Sequence, residues 1–536
     1  MPRRPSALIL LNALCFLAIS FAPSARPQTA PDRFDIHGRV INAVTGEPIS
    51  GALVQLADLF QFSQSDGTFT FTNLSSRQAA VFARKPGFFG DQELGRWNFQ
   101  NTLPAEGDVT VMLTPEGIIF GQVKNEIGEP MEHVVVRALR WQVADGRRQL
   151  QTSRDSATDD EGNFRIAELI PGSYYLSFAL QGTGPSIVSK LRRKTQAEDG
   201  YGLQFYPGVA DITAARPLEI RSGAQVRILH TFGRQHLFEI SGFVRGASPD
   251  NPPQIMLATP SGGGIGREAR LEPKTGQFLI SGVPAGTYML SATSWRRIRE
   301  GQPAMEPLIA MLPIHVNSNL EGLILNVASG PSVVVELRDE VQDSAGPNNF
   351  HQVVIRMIER EFAQYSPAAV VPASADAPRA PVTIPGLAPG TYSVDATSTG
   401  IGYIASLRCG SIDLLRHDLT IAPGSAPPPI EVTLRNDGAQ LNVALLDTAR
   451  PATFVVSSPE YPRRTLFMRD GTASISVPNL APGIYQVFAL NAGAELEFRN
   501  PAAIEPYLRH ASAVTLQPGD NTSVRVQMQQ SLDSQP

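Results

Sequence analysis

Beyond residue 30 the chain alternates short apolar runs with turn residues, and no long helical periodicity emerges. Ile118-Ile119-Phe120, Val134-Val135-Val136 and Val333-Val334-Val335 are β-branched runs of strand character. Elsewhere polar and apolar positions alternate strictly: Thr68-Phe69-Thr70-Phe71-Thr72, Ser474-Ile475-Ser476-Val477 and Ser523-Val524-Arg525-Val526-Gln527-Met528. A period of two puts one face of a strand in a core and the other in water, as in a sandwich of antiparallel sheets.

The pattern repeats. A strand with a glycine, a Gly-Glu-Pro turn and a second strand read Ile36-His37-Gly38-Arg39-Val40, Gly46-Glu47-Pro48 and Gly51-Ala52-Leu53-Val54. They recur as Phe120-Gly121-Gln122-Val123, Gly128-Glu129-Pro130 and Val134-Val135-Val136, and more weakly from Ile240-Ser241-Gly242-Phe243-Val244. A hairpin follows, and then a turn: Pro171-Gly172-Ser173-Tyr174, Pro284-Ala285-Gly286-Thr287-Tyr288, Pro389-Gly390-Thr391-Tyr392 and Pro482-Gly483-Ile484-Tyr485. The tyrosines stand 114, 104 and 93 residues apart, each interval one sandwich-sized domain. The first unit keeps Ser65-Asp66-Gly67 but has Asn73-Leu74-Ser75-Ser76-Arg77 where the others have the Tyr turn. These residues read as structural chemistry. Gly supplies positive φ, Pro presets φ, and Tyr carries its ring into a core.

The expected fold is therefore all-β: a tandem array of about five small antiparallel sandwiches, transthyretin-like or Ig-like, after a signal peptide. The expected limits are 1–27 for the signal peptide, then 33–114, 115–232, 233–328, 329–436 and 437–530. Pro427-Pro428-Pro429 and Gly330-Pro331 are expected at or near domain junctions, as semi-rigid joints.

These elements resemble the carboxypeptidase regulatory-like repeat, a transthyretin-like sandwich. The first unit carries the resemblance best, through Gly38-Arg39-Val40, Gly46-Glu47-Pro48, Gly51-Ala52, Ser65-Asp66-Gly67, Phe69 and Lys85-Pro86-Gly87-Phe88. The whole chain resembles multi-copy exported proteins of that class from environmental bacteria, acidobacteria especially. Phe205-Tyr206-Pro207-Gly208-Val209 and Gly402-Tyr403-Ile404 are similar to segments of that group. The resemblance is good over 33–300 and thinner afterwards. It implies fold and export; it does not imply peptidase activity, because the name belongs to an accessory domain attached to certain carboxypeptidases.

Composition agrees with this picture. A chain of 536 residues is too long for one core, and 42% apolar residues suffice for several. Gly (45) and Pro (44) suit many short strands joined by tight turns. A net charge of −5 offers no field for nucleic acid or an anionic membrane. The one basic run, Lys190-Leu191-Arg192-Arg193-Lys194, sits among glycines and reads as a solvated loop. Arg3 and Arg4 precede an apolar stretch from Ala7 to Ala22, broken by Pro23, which is the layout of a secretory signal peptide. An uncleaved anchor is the alternative. No later stretch approaches membrane-spanning length. Cys15 would leave with the signal, and Cys409 reads as a buried strand cysteine.

No catalytic motif and no cofactor is expected. His-Glu-x-x-His, Gly-x-Ser-x-Gly, a Walker loop and Cys-x-x-Cys are absent. His236-Leu237-Phe238-Glu239 has a zinc-like spacing, but residues three apart on a strand face opposite sides. Asp159, Asp160 and Glu161 either ligate calcium or face water in a hairpin turn. Trp97, Trp141 and Tyr206 are the candidate carbohydrate-binding residues; the other reading is that such rings cap small cores.

The expected function is a non-catalytic exported scaffold or adhesion-type protein, presenting loops to polysaccharide or cell-surface proteins and not to nucleic acid. The alternatives are a dedicated carbohydrate-binding protein with a starch-binding-like fold and, more remotely, an enzyme with an unrecognised site. Residence is expected in the periplasm, at the cell surface or in the medium. Local function is expected in what the units do not share: the loop 182–204, the stretch 295–307 and the scattered aromatics.

Overall fold

The computed structural model describes residues 33–531 except 75–79, 95–107, 145, 181–198, 260–266, 298–304, 342–350, 361–366, 374–380, 401, 423, 447–451, 469–472 and 492–493. The described residues form five consecutive two-sheet sandwiches, each with its own apolar core.

All five share one skeleton. The first strand lies inside a sheet, flanked by an antiparallel strand from the hairpin and, in parallel, by the last strand. In sandwich 1, Phe34–Asn42 lies between Thr68–Leu74 and Val109–Pro115. In sandwich 2, Gly117–Lys124 lies between Asn163–Leu169 and Gln225–Thr231. In sandwich 3, Phe238–Arg245 lies between Gln277–Val283 and Leu320–Asn326. In sandwich 4, Val333–Asp339 lies between Val382–Ile384 and Ile430–Arg435. In sandwich 5, Ala439–Leu445 lies between Ser474–Leu480 and Asn521–Val526. In sandwiches 2–5 the facing sheet contains the tyrosine strand: Gly172–Leu180, Gly286–Arg297, Gly390–Thr399 and Gly483–Asn491.

Each sandwich thus has a parallel closing pair, and its other pairings are antiparallel, save that Met528–Gln529 also lies parallel to Gly483–Asn491 in sandwich 5. With first and last strands parallel, the chain enters a sandwich at one end and leaves at the other. That geometry suits a tandem array, and only Glu116 separates the last strand of sandwich 1 from the first strand of sandwich 2.

Three local devices explain the repeated residues. Glycine on the first strand lets the closing strand approach. A Cβ at Gly121 would overlap the carbonyl of Ile228, and one at Gly242 the carbonyl of Leu323. Second, a left-handed residue precedes an aliphatic one in every unit. Asn73, Glu168, Gly282, Gly386 and Asn479 have φ of 64°, 54°, 74°, 68° and 56°. They stand before Leu74, Leu169, Val283, Leu387 and Leu480. The register slips there in sandwiches 1, 2, 3 and 5, as a β-bulge requires. The bulge turns the aliphatic side chain inward, and it is buried in sandwiches 2–5.

The third device is the tyrosine corner. Burying a tyrosine leaves a hydroxyl that needs a partner. In each case the O–H donates to the carbonyl four residues upstream: Tyr174 to Ile170 at 2.8 Å, Tyr288 to Pro284 at 3.1 Å, Tyr392 to Ala388 at 2.8 Å and Tyr485 to Ala481 at 2.7 Å. Such corners recur at strand entries in Ig-type sandwiches. Gly172, Gly286 and Gly483 have φ of 152°, 159° and 149° at the turn.

The two expected joints differ from each other in the structure. Gly330-Pro331 does lie between the strands of sandwiches 3 and 4, where the Pro331 carbonyl accepts from Leu387 N–H at 2.9 Å. Pro427-Pro428-Pro429 lies within sandwich 4, ahead of its closing strand. The Pro428 carbonyl accepts from the thiol of Cys409, a buried strand residue whose titration burial pushes up.

The strand-only reading also misses a short helix, Pro501–Leu508. The Asn500 side chain accepts from Ala502 N–H at 3.2 Å, and Pro501 occupies the first turn. Ile504 and Tyr507 pack on Val455, Phe488 and Leu496, forming a second small core in sandwich 5. Among the described residues no helix is long and apolar enough to cross a membrane.

Candidate functional site

Trp97, the basic run 190–194 and most of the loop 182–204 lie outside the described residues. Trp141 is half-buried on Val134–Ala144, packed on Leu139, Leu150 and Phe205, with the Arg148 guanidinium 5.3 Å from its ring. Tyr206 packs against the main core of sandwich 2. The two rings thus serve different clusters. Trp295 is 51% exposed, and its backbone carbonyl accepts from the Asn251 amide.

The carboxylates of the hairpin turn have local work. Asp159 accepts from Asn163 N–H at 2.7 Å and from Glu161 N–H at 3.1 Å. His236 Nδ1 lies 3.3 Å from the Asp199 carboxylate. Among the described residues no three His, Cys, Asp or Glu side chains gather as a metal site.

Among the described residues, partly and fully buried charges gather where sandwiches 2, 4 and 5 touch. Sandwich 4 contributes two carboxylates. Asp395, on Gly390–Thr399, is 7% exposed, and Asp418 just precedes Leu419–Ile421. Arg360, one residue past His351–Glu359, donates to Asp418 Oδ2 from Nε at 2.7 Å and lies 2.6 Å away at Nη2.

Sandwich 5 inserts the turn Pro462–Arg464. Arg463 reaches the other oxygen of Asp418 and the carbonyl of Leu414. Arg464 donates to the carbonyls of Ile404 and Ala405 at 3.1 and 2.9 Å. Tyr461 packs on the core of sandwich 4, with the guanidiniums of Arg464 and Arg416 at 4.3 and 4.6 Å from its ring. Arg499, just before the helix cap, pairs with Asp395.

Sandwich 2 closes the junction with the hairpin of Val134–Ala144 and Arg147–Ala157. The Gly146 carbonyl accepts from Arg499 N–H at 3.3 Å, and Arg140 lies 3.9 Å from Glu495. Gly146 has φ of 73°, and a Cβ there would overlap Phe498 and Arg499. Only glycine allows both the turn and the approach.

A cleft of about 340 Å³ opens between sandwiches 4 and 5, lined by Asp395, Tyr403, Arg463, Arg464, Tyr485 and Arg499 among others. The Tyr403 hydroxyl donates to Asp437 at 2.9 Å; burial, and then that carboxylate, push its phenol up to about 12. Burial lowers the titration of Arg147 and of Arg463, and for Arg147 the nearby Arg360 and Arg499 lower it further. The junction residues are 147, 360, 395, 418, 463 and 499. They are scattered over the sequence, and no local motif announces them.

No protein-family model matches the chain, and no curated protein matches it. Solved structures similar to it include the minor pilin GBS52 of Streptococcus agalactiae, at 15% identity over 38% of this chain and 96% of that one, with a TM-score of 0.20. The Bacillus anthracis TIE protein is similar at 10% identity over 77% of this chain and 74% of that one, with a TM-score of 0.15. BcpA, the major pilin subunit of Bacillus cereus, is similar at 10% identity over 60% of this chain and 99% of that one, with a TM-score of 0.14. Likeness at this level carries no function from those proteins to this chain.

Proposed function

We propose that the chain is a non-catalytic, exported scaffold or adhesion-type protein whose five sandwiches are units of the carboxypeptidase regulatory-like kind. The proposed limits are 33–114, 115–232, 233–328, 329–436 and 437–530, after a signal peptide at 1–27. One observation carries this reading: recurrent residues build each sandwich, while the unshared charges of sandwiches 2, 4 and 5 fix sandwich against sandwich. Groups engaged in holding surfaces at set positions suit presentation better than turnover. The partners are polysaccharide or cell-surface proteins met by loops at the outside of the array.

The test is retention of cell-surface extract and of a polysaccharide panel on immobilised protein lacking residues 1–27. Retention of a surface protein, unchanged in Trp141→Ala, supports the scaffold. Retention of a polysaccharide that Trp141→Ala abolishes moves the assignment to a dedicated carbohydrate-binding protein. Retention of neither overturns the adhesion reading.

A further inference from the structure

Among the described residues of the three-sandwich junction, guanidiniums outnumber the carboxylates that act on them. Arg147, Arg360, Arg463 and Arg499 act on one another there, with Asp395 and Asp418 as the acids in the same group. Asp418 serves Arg360 and Arg463, and Asp395 serves Arg499. The Arg147 side chain makes no hydrogen bond or close ion pair with another described residue, although Asp395 and Asp418 lie near enough to act on it. The Nε of Arg147 and the Nε of Arg499 are both buried without a partner. Arg140 and Glu495 add one charge of each sign at the edge, 3.9 Å apart, and Arg464 spends its donors on backbone carbonyls.

A guanidinium taken out of water without an acceptor is costly, and the cost falls when an anion supplies the missing lone pairs. Arginine forks match the planar or tetrahedral oxygens of carboxylate and phosphate. The two orphaned Nε–H groups come from sandwiches that meet at the Gly146–Arg499 backbone bond, and Arg147 directly follows Gly146.

We propose that this junction is an oxyanion site, in which Arg147 of sandwich 2 and Arg499 of sandwich 5 hold a carboxylate or phosphate group beside the cleft of sandwiches 4 and 5. The ligand is of small-molecule size or a single acidic group on a larger one. Because it bonds two sandwiches far apart in sequence, its binding favours their contact. The site does not depend on the chain being a scaffold.

The test uses protein lacking residues 1–27, titrated with inorganic phosphate and separately with acetate, sodium chloride holding ionic strength constant. Thermal unfolding and isothermal calorimetry are the readouts. Saturable binding of phosphate or acetate is expected, with a rise in melting temperature that chloride does not reproduce. Arg147→Gln should weaken it at least tenfold, whereas Arg148→Gln, on the same hairpin but exposed beside Trp141, should leave it unchanged. The stronger of the two probes identifies the ligand class as phosphate or carboxylate. A further acid, Asp145, lies outside the described residues. A flat response of the parent protein to both anions, as an internal counter-ion would produce, overturns the proposal. So does an equal loss in Arg147→Gln and Arg148→Gln, which would mark diffuse charge. Should Arg147→Gln fail to fold, Arg147→Lys keeps the charge without the fork and should still lose most of the affinity.

Discussion

The tyrosine corners and the arginine junction both bury polar groups, and they satisfy them in opposite ways. A corner is local. Its hydroxyl finds a carbonyl four residues away, inside one sandwich, and four units repeat it. The junction is non-local. Arg499 reaches Asp395 across 104 residues, and the Gly146–Arg499 bond joins sandwich 2 to sandwich 5. A local solution can be copied with the unit. A non-local one exists once, because it depends on where three copies come to rest. The corners therefore govern whether a sandwich folds, and the junction governs how sandwiches sit together.

The largest effect should come from destroying a corner. Tyr485 is 1% exposed in the core of sandwich 5. Tyr485→Ala removes a buried ring and should cost about 3–5 kcal/mol. Hydrogen exchange at Leu441–Val443 reads that loss directly. If the cost spreads equally to sandwich 2, the sandwiches are not separate folding units and the comparison fails.

His230 is a polar group that neither device reaches. It is 3% exposed in the closing strand of sandwich 2, stacked on Phe178 at 3.7 Å, with both ring nitrogens unpartnered. Burial pushes its titration down from 6.5 to about 4. The unfolded chain therefore takes up a proton that the folded chain refuses. The contribution is fully present above about pH 6.5 and is lost as pH falls toward 4, by about 3 kcal/mol in total. Exchange in 225–231, compared at pH 7 and pH 4.5, should show sandwich 2 loosening on acidification beyond the intrinsic rate change. His230→Leu should remove that difference. A pH response that survives the substitution would assign the acid sensitivity elsewhere.

Next comes Asp395→Asn. It leaves Arg499, 20% exposed, without its carboxylate. Removing one partner of a largely buried pair should cost about 2–3 kcal/mol at the junction. The core of sandwich 4 faces the other side of the strand and should hold. Small-angle scattering should register a larger radius of gyration while the sandwich cores keep their exchange protection. An unchanged radius would mean that the pair does not set the arrangement.

These two regions also explain how far the sequence could be read. The all-β array, its number of sandwiches and the inward tyrosines were legible because Pro-Gly-x-Tyr and the alternating strands are local patterns, repeated. The bulge before Leu169 was not, since its left-handed residue is Asn, Glu or Gly in different units. The helix left a readable mark in Asn500-Pro501, a cap followed by a first-turn proline, with Ile504 and Tyr507 at helical spacing. Eight residues in a strand-rich chain were too few to raise it above the background. Of the aromatic candidates, Trp141 and Tyr206 are placed by packing, which depends on the 203–215 segment folding over the sheet. The arginine junction had no sequence signature, because its six principal residues come from three units.

A smaller effect separates the parts of a corner. Tyr485→Phe keeps the ring and deletes one hydroxyl, leaving the Ala481 carbonyl without its donor. The expected cost is about 1 kcal/mol, confined to sandwich 5 and measured by the same exchange. A cost near that of Tyr485→Ala would mean the bond, rather than the ring, holds the strand entry.

The smallest expected effect is a control on the junction. Arg154 and Glu168 form an ion pair at 3.0 Å, with a second contact at 3.2 Å from Nε, the same two-nitrogen grip on one oxygen that Arg360 has on Asp418. The difference is exposure: 51% and 62% of the two side chains face solvent. Water already stabilises both charges, and salt screens what remains, so the pair should contribute less than about 0.5 kcal/mol. Arg154→Gln should therefore leave exchange in sandwich 2 unchanged within error, at low and at high salt. Asp395→Asn differs from it in burial and in joining two sandwiches. If Arg154→Gln proved as costly as Asp395→Asn, ion-pair chemistry alone would account for the junction, and its burial between sandwiches would have no special role.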